Sequence, residues 1–115
     1  MKLIIQSFMI GSLIVMSSCK KDMAPDPECV EEISYATHVK PMLDMNCTTT
    51  SCHDAATAGG YNLVSHSSVS ANAEVILSVI SHESEFTAMP LGGAKFADSL
   101  IQNFNCWIKQ GKLNN

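Results

Sequence analysis

Residues Cys47–His53 have the sequence CTTTSCH, which places two thiols and an imidazole within seven residues. Four residues separate the cysteines, and the histidine follows the second cysteine directly. Thiolates and imidazoles bind metals and anchor cofactors, and two thiols in an exported protein can also form a disulfide. The fold expected around this stretch depends on which of these chemistries the three side chains serve.

Three interpretations of this stretch compete. In covalent haem attachment, each thiol adds to one vinyl group and His53 becomes the proximal iron ligand. The usual signature has two residues between the cysteines, but additional residues can bulge outward without moving His53. A structural zinc site needs four ligands, and no second such cysteine pair accompanies Cys47 and Cys52. A bare Cys47–Cys52 disulfide is the third interpretation, and it predicts a colourless protein.

The N-terminus indicates export. Lys2 precedes a mostly apolar run, Leu3–Met16, which is short for a membrane span and fits a secretory signal peptide. The run ends in Met16-Ser17-Ser18-Cys19, which resembles the lipobox of bacterial lipoproteins. That resemblance implies removal of residues 1–18 and acylation of Cys19, which would anchor the chain to a membrane. Because no aspartate follows Cys19, it also implies the outer membrane of the cell envelope, facing the periplasm or the cell surface.

The composition of the mature chain predicts one small, mildly acidic domain. Loss of residues 1–18 would leave 97 of the 115 residues. The whole chain has seven basic and eleven acidic residues and no basic cluster, which disfavours nucleic-acid binding. Residues 19–32 contain acids and prolines and are expected to form a lipidated tether, followed by the domain at 33–115. Domains this small commonly add a disulfide, a metal or a large apolar cofactor.

Apolar periodicity predicts an all-α domain with three main helices. Ser34 can cap a helix that runs to about residue 46, and Pro41 should kink it or divide it into two short pieces. A second helix is predicted from Ala73 to about Ser81. The third, from about Asp98 to Gln110, places five apolar residues on one stripe, namely Leu100, Ile101, Phe104, Trp107 and Ile108.

Long loops over residues 54–70 and 82–96 are expected to join these helices. Loops of this length are unusual in a compact domain without a functional reason, and a buried prosthetic group would supply one. Met89 precedes Pro90 in the second loop, where no helical pattern explains an apolar side chain. Because a haem iron that transfers electrons often binds histidine and methionine, Met89 is the candidate distal ligand.

The order of these features resembles that of small class-I, mono-haem cytochrome c domains, closest to those of bacterial lipoproteins and outer-membrane proteins. The resemblance spans residues 33–113 and is carried by Ser34-Tyr35, Val39–Leu43, Asn46-Cys47, Cys52-His53, Gly59-Gly60, Met89-Pro90, Trp107-Ile108 and Gly111. It implies that Cys47 and Cys52 anchor one haem c per chain, with His53 as the proximal and Met89 as the distal iron ligand. It further implies a cytochrome c-like fold whose long loops surround the haem.

The same resemblance carries further structural and functional expectations. The first and last helices should cross and pack, with Trp107 against the core near the haem. Because the chain has no arginine, the haem propionates would need Lys95, Trp107 or backbone groups as donors. The implied function is electron exchange with redox partner proteins of the cell envelope, with the methionine ligand raising the reduction potential. No acid–base pair or activated nucleophile is visible, so the protein is not expected to be an enzyme.

Two other functional classes remain open at the level of sequence. One is a non-redox, disulfide-stapled lipoprotein that acts as a binding or structural module. The other is a haem sensor or peroxidase-like enzyme with an open distal site, which requires that Met89 does not bind iron.

The remaining cysteines and histidines complete the expectations. Of the five cysteines, Cys19 is assigned to lipid and two to haem, which leaves Cys29 and Cys106. These two belong near elements that are expected to pack together, so a Cys29–Cys106 disulfide is predicted. The other three histidines, His38, His66 and His82, are expected to be exposed polar residues, and His66 or His82 could replace Met89 as distal ligand.

Overall fold

Short helices and long connecting loops make up the fold. The computed structural model describes residues 28–115, so the predicted signal peptide, Cys19 and residues 20–27 of the predicted tether lie outside the described residues. The described helices are a π-helical turn at Tyr35–Val39 followed by α1 (Lys40–Asn46), α2 (His66–Ala71), α3 (Ala73–Ile80) and α4 (Asp98–Lys109). No strand occurs between residues 28 and 115, and the predicted all-α class is confirmed for this part of the chain.

The first predicted helix is divided in two at the position of its proline. Ser34 begins it, because its hydroxyl accepts a hydrogen bond from the Thr37 N–H at 3.3 Å. Pro41 has no N–H, and its ring would collide with the carbonyl four residues earlier in a regular α-helix. The backbone widens ahead of it, so that the Val39 N–H reaches the Ser34 carbonyl, five residues back, at 3.4 Å. The predicted division of this helix is confirmed.

The helices α3 and α4 agree with the predicted second and third helices to within one residue at each end. α3 ends at Ile80, one residue before the predicted end, and α4 ends at Lys109. Gly111 follows with φ of 98°, a left-handed conformation that favours glycine and stops a helix. Both helices were predictable because their apolar residues recur at helical spacing.

The helix α2 lies in a segment that was predicted to be an irregular loop, and that prediction is wrong over residues 66–70. The Ser65 hydroxyl accepts a hydrogen bond from the Ser68 N–H at 3.3 Å and begins the helix. Only Val69 of this helix is buried. A six-residue helix rich in serine shows no apolar period, and serine is a weak helix former.

An aromatic cluster joins the first and last helical segments. Trp107 of α4 is fully buried, and its ring centroid lies 5.7 Å from that of Tyr35. His66 packs edge-on against Tyr35 at 4.7 Å, and its Nε2 lies 2.8 Å from the Lys112 carbonyl oxygen. The expectation that His66 is an exposed polar residue is therefore wrong. Its half-buried ring contacts aromatic residues from two distant segments, which the local sequence does not reveal.

A disulfide fastens the beginning of the described chain to the last helix. Cys29 is bonded to Cys106, 77 positions further along, as predicted from the cysteine pattern. Nearby, the Ile33 N–H donates to Gln110 Oε1 at 2.8 Å, and Gln110 Nε2 donates to the Glu31 carbonyl at 2.7 Å. Part of the segment predicted as tether therefore contacts α4.

No helix within residues 28–115 is suited to crossing a membrane. The longest of them, α4, has twelve residues, whereas a helical span needs about twenty apolar residues.

Candidate functional site

A cavity of about 280 Å³ lies between the cysteine loop, α3 and the loop that contains Met89. Three of the four predicted haem-site residues, Cys47, His53 and Met89, line it, although they are far apart in the sequence. One helix supplies much of the remaining wall through Val75, Ile76, Val79 and Ile80. No Asp, Glu or Lys side chain is among the described residues that line this cavity, which is therefore predominantly apolar.

Backbone hydrogen bonds fold Cys47–His53 into a closed loop. The His53 N–H donates to the Cys47 carbonyl at 2.9 Å, and the Cys52 N–H donates to the Thr49 carbonyl at 3.0 Å. Ser51 has φ of 69°, and residues 49–52 are exposed. The residues between the cysteines therefore bulge into solvent, while Cys47 and His53 stay adjacent in the cavity wall.

The segment that contains Tyr61 and Leu63 forms hydrogen bonds with the imidazole and the backbone of His53. Nδ1 of His53 lies 3.0 Å from the carbonyl oxygen of Tyr61, and the Leu63 N–H donates to the His53 carbonyl at 3.0 Å. Because a carbonyl oxygen only accepts, Nδ1 carries the proton in this bond, and in the neutral form of the ring the lone pair is then on Nε2. A neutral imidazole whose other nitrogen donates to a carbonyl is the form that ligates metals.

Gly59 allows this close approach to the imidazole. Its N–H donates to the Cys52 carbonyl at 2.8 Å. A Cβ atom at this position would lie 3.0 Å from Cε1 and from Nδ1 of His53, closer than ordinary van der Waals contact permits. The role of Gly59 was not predicted, because the sequence shows a glycine pair but not which backbone meets the imidazole.

The backbone of Met89 is anchored to the end of α3. The Met89 N–H donates to the Val79 carbonyl at 3.0 Å, and Nε2 of His82 lies 3.1 Å from the Met89 carbonyl oxygen. His82 Nε2 donates in this contact, since the carbonyl oxygen only accepts. His82 is exposed, as predicted, and so is His38. Neither of these histidines lines the described cavity, whereas the half-buried Met89 does.

The two thiols of the loop have different surroundings. Both are free, but Cys47 is 8% exposed whereas Cys52 is exposed and is not among the described residues that line the cavity. Burial, with a smaller contribution from the neighbouring Cys52, raises the pKa of the Cys47 thiol from 9.0 to about 11. Cys47 is therefore an uncharged thiol at neutral pH.

The side chains considered as propionate donors are used elsewhere. Nε1 of Trp107 donates to the Leu113 carbonyl at 2.9 Å, and Lys95 pairs with Asp98 at 2.8 Å. Neither Trp107 nor Lys95 lines the described cavity. Of the propionate donors considered from the sequence, only backbone N–H groups remain.

Chemically, the lining combines an apolar wall with one thiol, one imidazole and one thioether group, from Cys47, His53 and Met89. Within residues 28–115, no three His, Cys, Asp or Glu side chains come together in the manner of a site for a bare metal ion. Comparisons of the chain with protein families, curated proteins and solved structures find no match. The chemistry of the cavity is therefore inferred from this chain's own residues.

Proposed function

We propose that this protein carries one covalently attached haem c and transfers electrons in the cell envelope. The observation that supports it is the meeting of Cys47, His53 and Met89 in one apolar cavity. His53 and Met89 would be the two axial ligands, and Cys47 and Cys52 would be the thioether anchors. When bound, the haem iron supplies a one-electron couple.

The surroundings of His53 support its role as the proximal ligand. The Tyr61 carbonyl accepts the Nδ1 proton at 3.0 Å, which sets the tautomer and limits rotation of the ring. The same hydrogen bond makes the other nitrogen a stronger donor to a metal. The absence of a side chain at Gly59 leaves the space that the ring occupies, because a Cβ atom there would lie 3.0 Å from Cε1 and Nδ1 of His53.

The walls of the cavity support a haem of raised reduction potential. Apolar side chains of α3 exclude water from one side, and exclusion of water disfavours the more charged ferric form. The Met89 N–H donates to the Val79 carbonyl and the Met89 carbonyl accepts from His82, and these two hydrogen bonds hold the backbone of the proposed distal ligand at the end of this helix. Ligation by methionine would also raise the reduction potential of the haem.

The mouth of the cavity supports contact with other proteins. Tyr61 and Phe86 line the cavity and are nevertheless 50% and 65% exposed. Exposed apolar side chains that lie together commonly mark an interaction surface. A haem seated in the cavity would keep one edge near this surface, where redox partner proteins could exchange electrons with it. A lipid on Cys19, which is itself a proposal, would hold the domain near such partners at the outer membrane.

The proposal is tested by expressing the full chain in a bacterial host that attaches haem to exported apocytochromes. Intact-mass spectrometry and a pyridine haemochrome assay should then report one covalently bound haem per chain. An unmodified polypeptide mass from such a host, under conditions in which a control cytochrome c is loaded, would contradict the proposal.

The Cys29–Cys106 disulfide is also compatible with the alternative, a non-redox stapled lipoprotein that acts as a binding or structural module. That alternative predicts a colourless protein with a Cys47–Cys52 bridge and a cavity that takes some other apolar ligand. Peptide mapping with and without reduction distinguishes the two, because a Cys47–Cys52 disulfide opens on reduction whereas the thioether bonds keep the haem mass on the peptide.

A further inference from the structure

The two proposed haem anchors differ in how the chain presents them to the cavity. Cys47 follows α1 directly, and its N–H donates to the Leu43 carbonyl at 2.7 Å. Its side chain is buried and lines the cavity. Cys52 lies on the outer part of the loop, where it is exposed and outside the described lining.

We infer that Cys47 is the primary covalent anchor and that Cys52 bonds the haem only after residues 48–52 rearrange. The inference rests on the proposed function, since it concerns the order in which the same haem is attached. In each attachment the S–H bond and the π bond of a vinyl group break, while one S–C and one C–H bond form. No oxidant or reductant is consumed in this addition.

The hydrogen bonds of the loop explain how Cys52 can react after Cys47 has already bonded the haem. Two hydrogen bonds hold the turn that directs Cys52 outward. The Cys52 N–H donates to the Thr49 carbonyl at 3.0 Å, and the Ser51 N–H donates to Asp54 Oδ2 at 3.3 Å. The bond from the His53 N–H to the Cys47 carbonyl is separate from both. The Gly59 N–H bond to the Cys52 carbonyl, at 2.8 Å, is a further contact and involves only the backbone of Cys52. The outer turn can therefore open at residues 48–51 and reorient the Cys52 side chain while the iron ligand and the first anchor keep their places.

The length of the loop allows the two thiols to point in different directions. With four residues between the cysteines, the thiols are not forced onto the same side of one tight turn. The outer turn can point Cys52 toward solvent at no cost to the position of Cys47. A second thioether is then an additional constraint on a haem that the first one already holds.

The test compares single-cysteine variants of the full chain in the maturation-competent host. Cys52→Ala should still carry covalent haem, with a pyridine haemochrome band at the position expected for one thioether. Cys47→Ala should lose most of its covalent haem, and the near-isosteric Cys47→Ser should behave in the same way. The Cys29–Cys106 disulfide and the far-ultraviolet circular dichroism of each variant would show that it has folded.

The outcomes separate this inference from the proposed function. If wild type carries haem but Cys47→Ala is loaded as well as or better than Cys52→Ala, the order of anchors is wrong and the proposed function stands. If wild type carries no haem in a host that loads a control cytochrome, both are overturned.

A second measurement uses the unloaded, folded protein and does not depend on maturation. A large thiol reagent should label Cys52 much faster than Cys47, and urea should abolish the difference because it exposes Cys47. Peptide mapping gives the two rates separately. Equal rates in the folded protein would show that Cys47 is not the buried member of the pair and would overturn the inference.

Discussion

Nδ1 of His53 lies 3.0 Å from the main-chain carbonyl oxygen of Tyr61, a contact that does not involve the opposite nitrogen of the ring. The contact is between an imidazole and a backbone that returns after the glycine pair at 59 and 60. It is possible because Gly59 has no side chain to separate the two segments. The geometry of the proposed iron ligand therefore depends on Gly59, a residue that has no side chain.

Replacing Gly59 with alanine should displace the His53 ring. The added Cβ would lie 3.0 Å from two atoms of the His53 ring and from the Cys52 carbonyl oxygen. The carbonyl belongs to the backbone, so the ring is the group expected to move. Overpacking of this kind costs about 1–3 kcal/mol, so urea denaturation should show a less stable unloaded protein. In the haem-loaded protein, the visible spectrum should show altered iron ligation.

Gly60→Ala is the matched control for this substitution. Gly60 has φ of 87°, so alanine strains the backbone there, but a Cβ meets nothing within 4 Å. This variant should lose stability while the spectrum of its haem stays that of wild type. If Gly59→Ala also kept the wild-type spectrum, contact with Gly59 would have no part in positioning His53.

Replacing Met89 with alanine should open the distal side of the haem. The proposed distal sulfur is lost, so the ferrous protein should bind carbon monoxide readily, whereas wild type should bind it slowly or not at all. Met45→Ala is the control, because Met45 is 71% exposed and does not line the cavity among the described residues. Ready carbon monoxide binding by wild type would favour the haem sensor or peroxidase-like alternative. Carbon monoxide binding by Met89→Ala at the wild-type rate would exclude Met89 as the ligand.

The sequence predicted the parts of this fold that repeat a local pattern. α3 and α4 carry apolar residues at helical spacing, and Pro41 marks the division of the first helix because a missing N–H acts locally. α2 was missed because its serines carry no such period. The packing of His66 could not be predicted, since it depends on Tyr35 and Trp107 from opposite ends of the domain.

The candidate site divides in the same manner. Cys47, His53 and Met89 were identifiable because thiol, imidazole and thioether groups in this order have a recognised chemistry. The supporting contacts were not, because the Tyr61 and Val79 groups involved are main-chain atoms. Any residue type could supply those carbonyls, so only the fold reveals which ones are used.

Replacing Tyr35 with phenylalanine should leave the protein as stable as wild type or slightly more stable. Tyr35 is 5% exposed, and its hydroxyl has no hydrogen-bond partner within residues 28–115. Removing a buried hydroxyl without a partner is nearly neutral or stabilising by about 1 kcal/mol. Urea denaturation at neutral pH measures the difference, and a loss of more than about 1 kcal/mol would reveal a partner for this hydroxyl.

The same variant should change how stability depends on alkaline pH. Burial raises the pKa of Tyr35 above its ordinary value of 10.0, so the folded state holds this proton more tightly than the unfolded state. The protonated Tyr35 therefore contributes its full stabilisation of the folded state below pH 10, and this contribution is lost as the pH rises through the pKa of the folded state. The free energy of unfolding should therefore fall more steeply above pH 10 in wild type than in Tyr35→Phe. Parallel pH profiles for the two proteins would contradict this.

Removing the disulfide with Cys29→Ala and Cys106→Ala together should destabilise the domain. The bond joins residues 77 positions apart, and the loop-entropy estimate for a closure of this length is roughly 4 kcal/mol. Cys52→Ala is the control, since that side chain is exposed and unpaired in the unloaded protein. Both are compared with wild type by urea denaturation of unloaded protein without reductant. An unchanged midpoint for the double variant, or alkylation of both thiols in unreduced wild type, would contradict the pairing.

The central claim, that Cys47, Cys52, His53 and Met89 hold one haem, is tested most directly by the visible absorption spectrum of the reduced full-length protein from a maturation-competent host. The spectrum reports the presence of haem, its thioether attachment and its ligation together. We predict the sharp α and β bands of a low-spin c-type haem with histidine and methionine ligands, at one haem per chain. A colourless protein of unmodified mass, from a host that loads a control cytochrome, would contradict the claim.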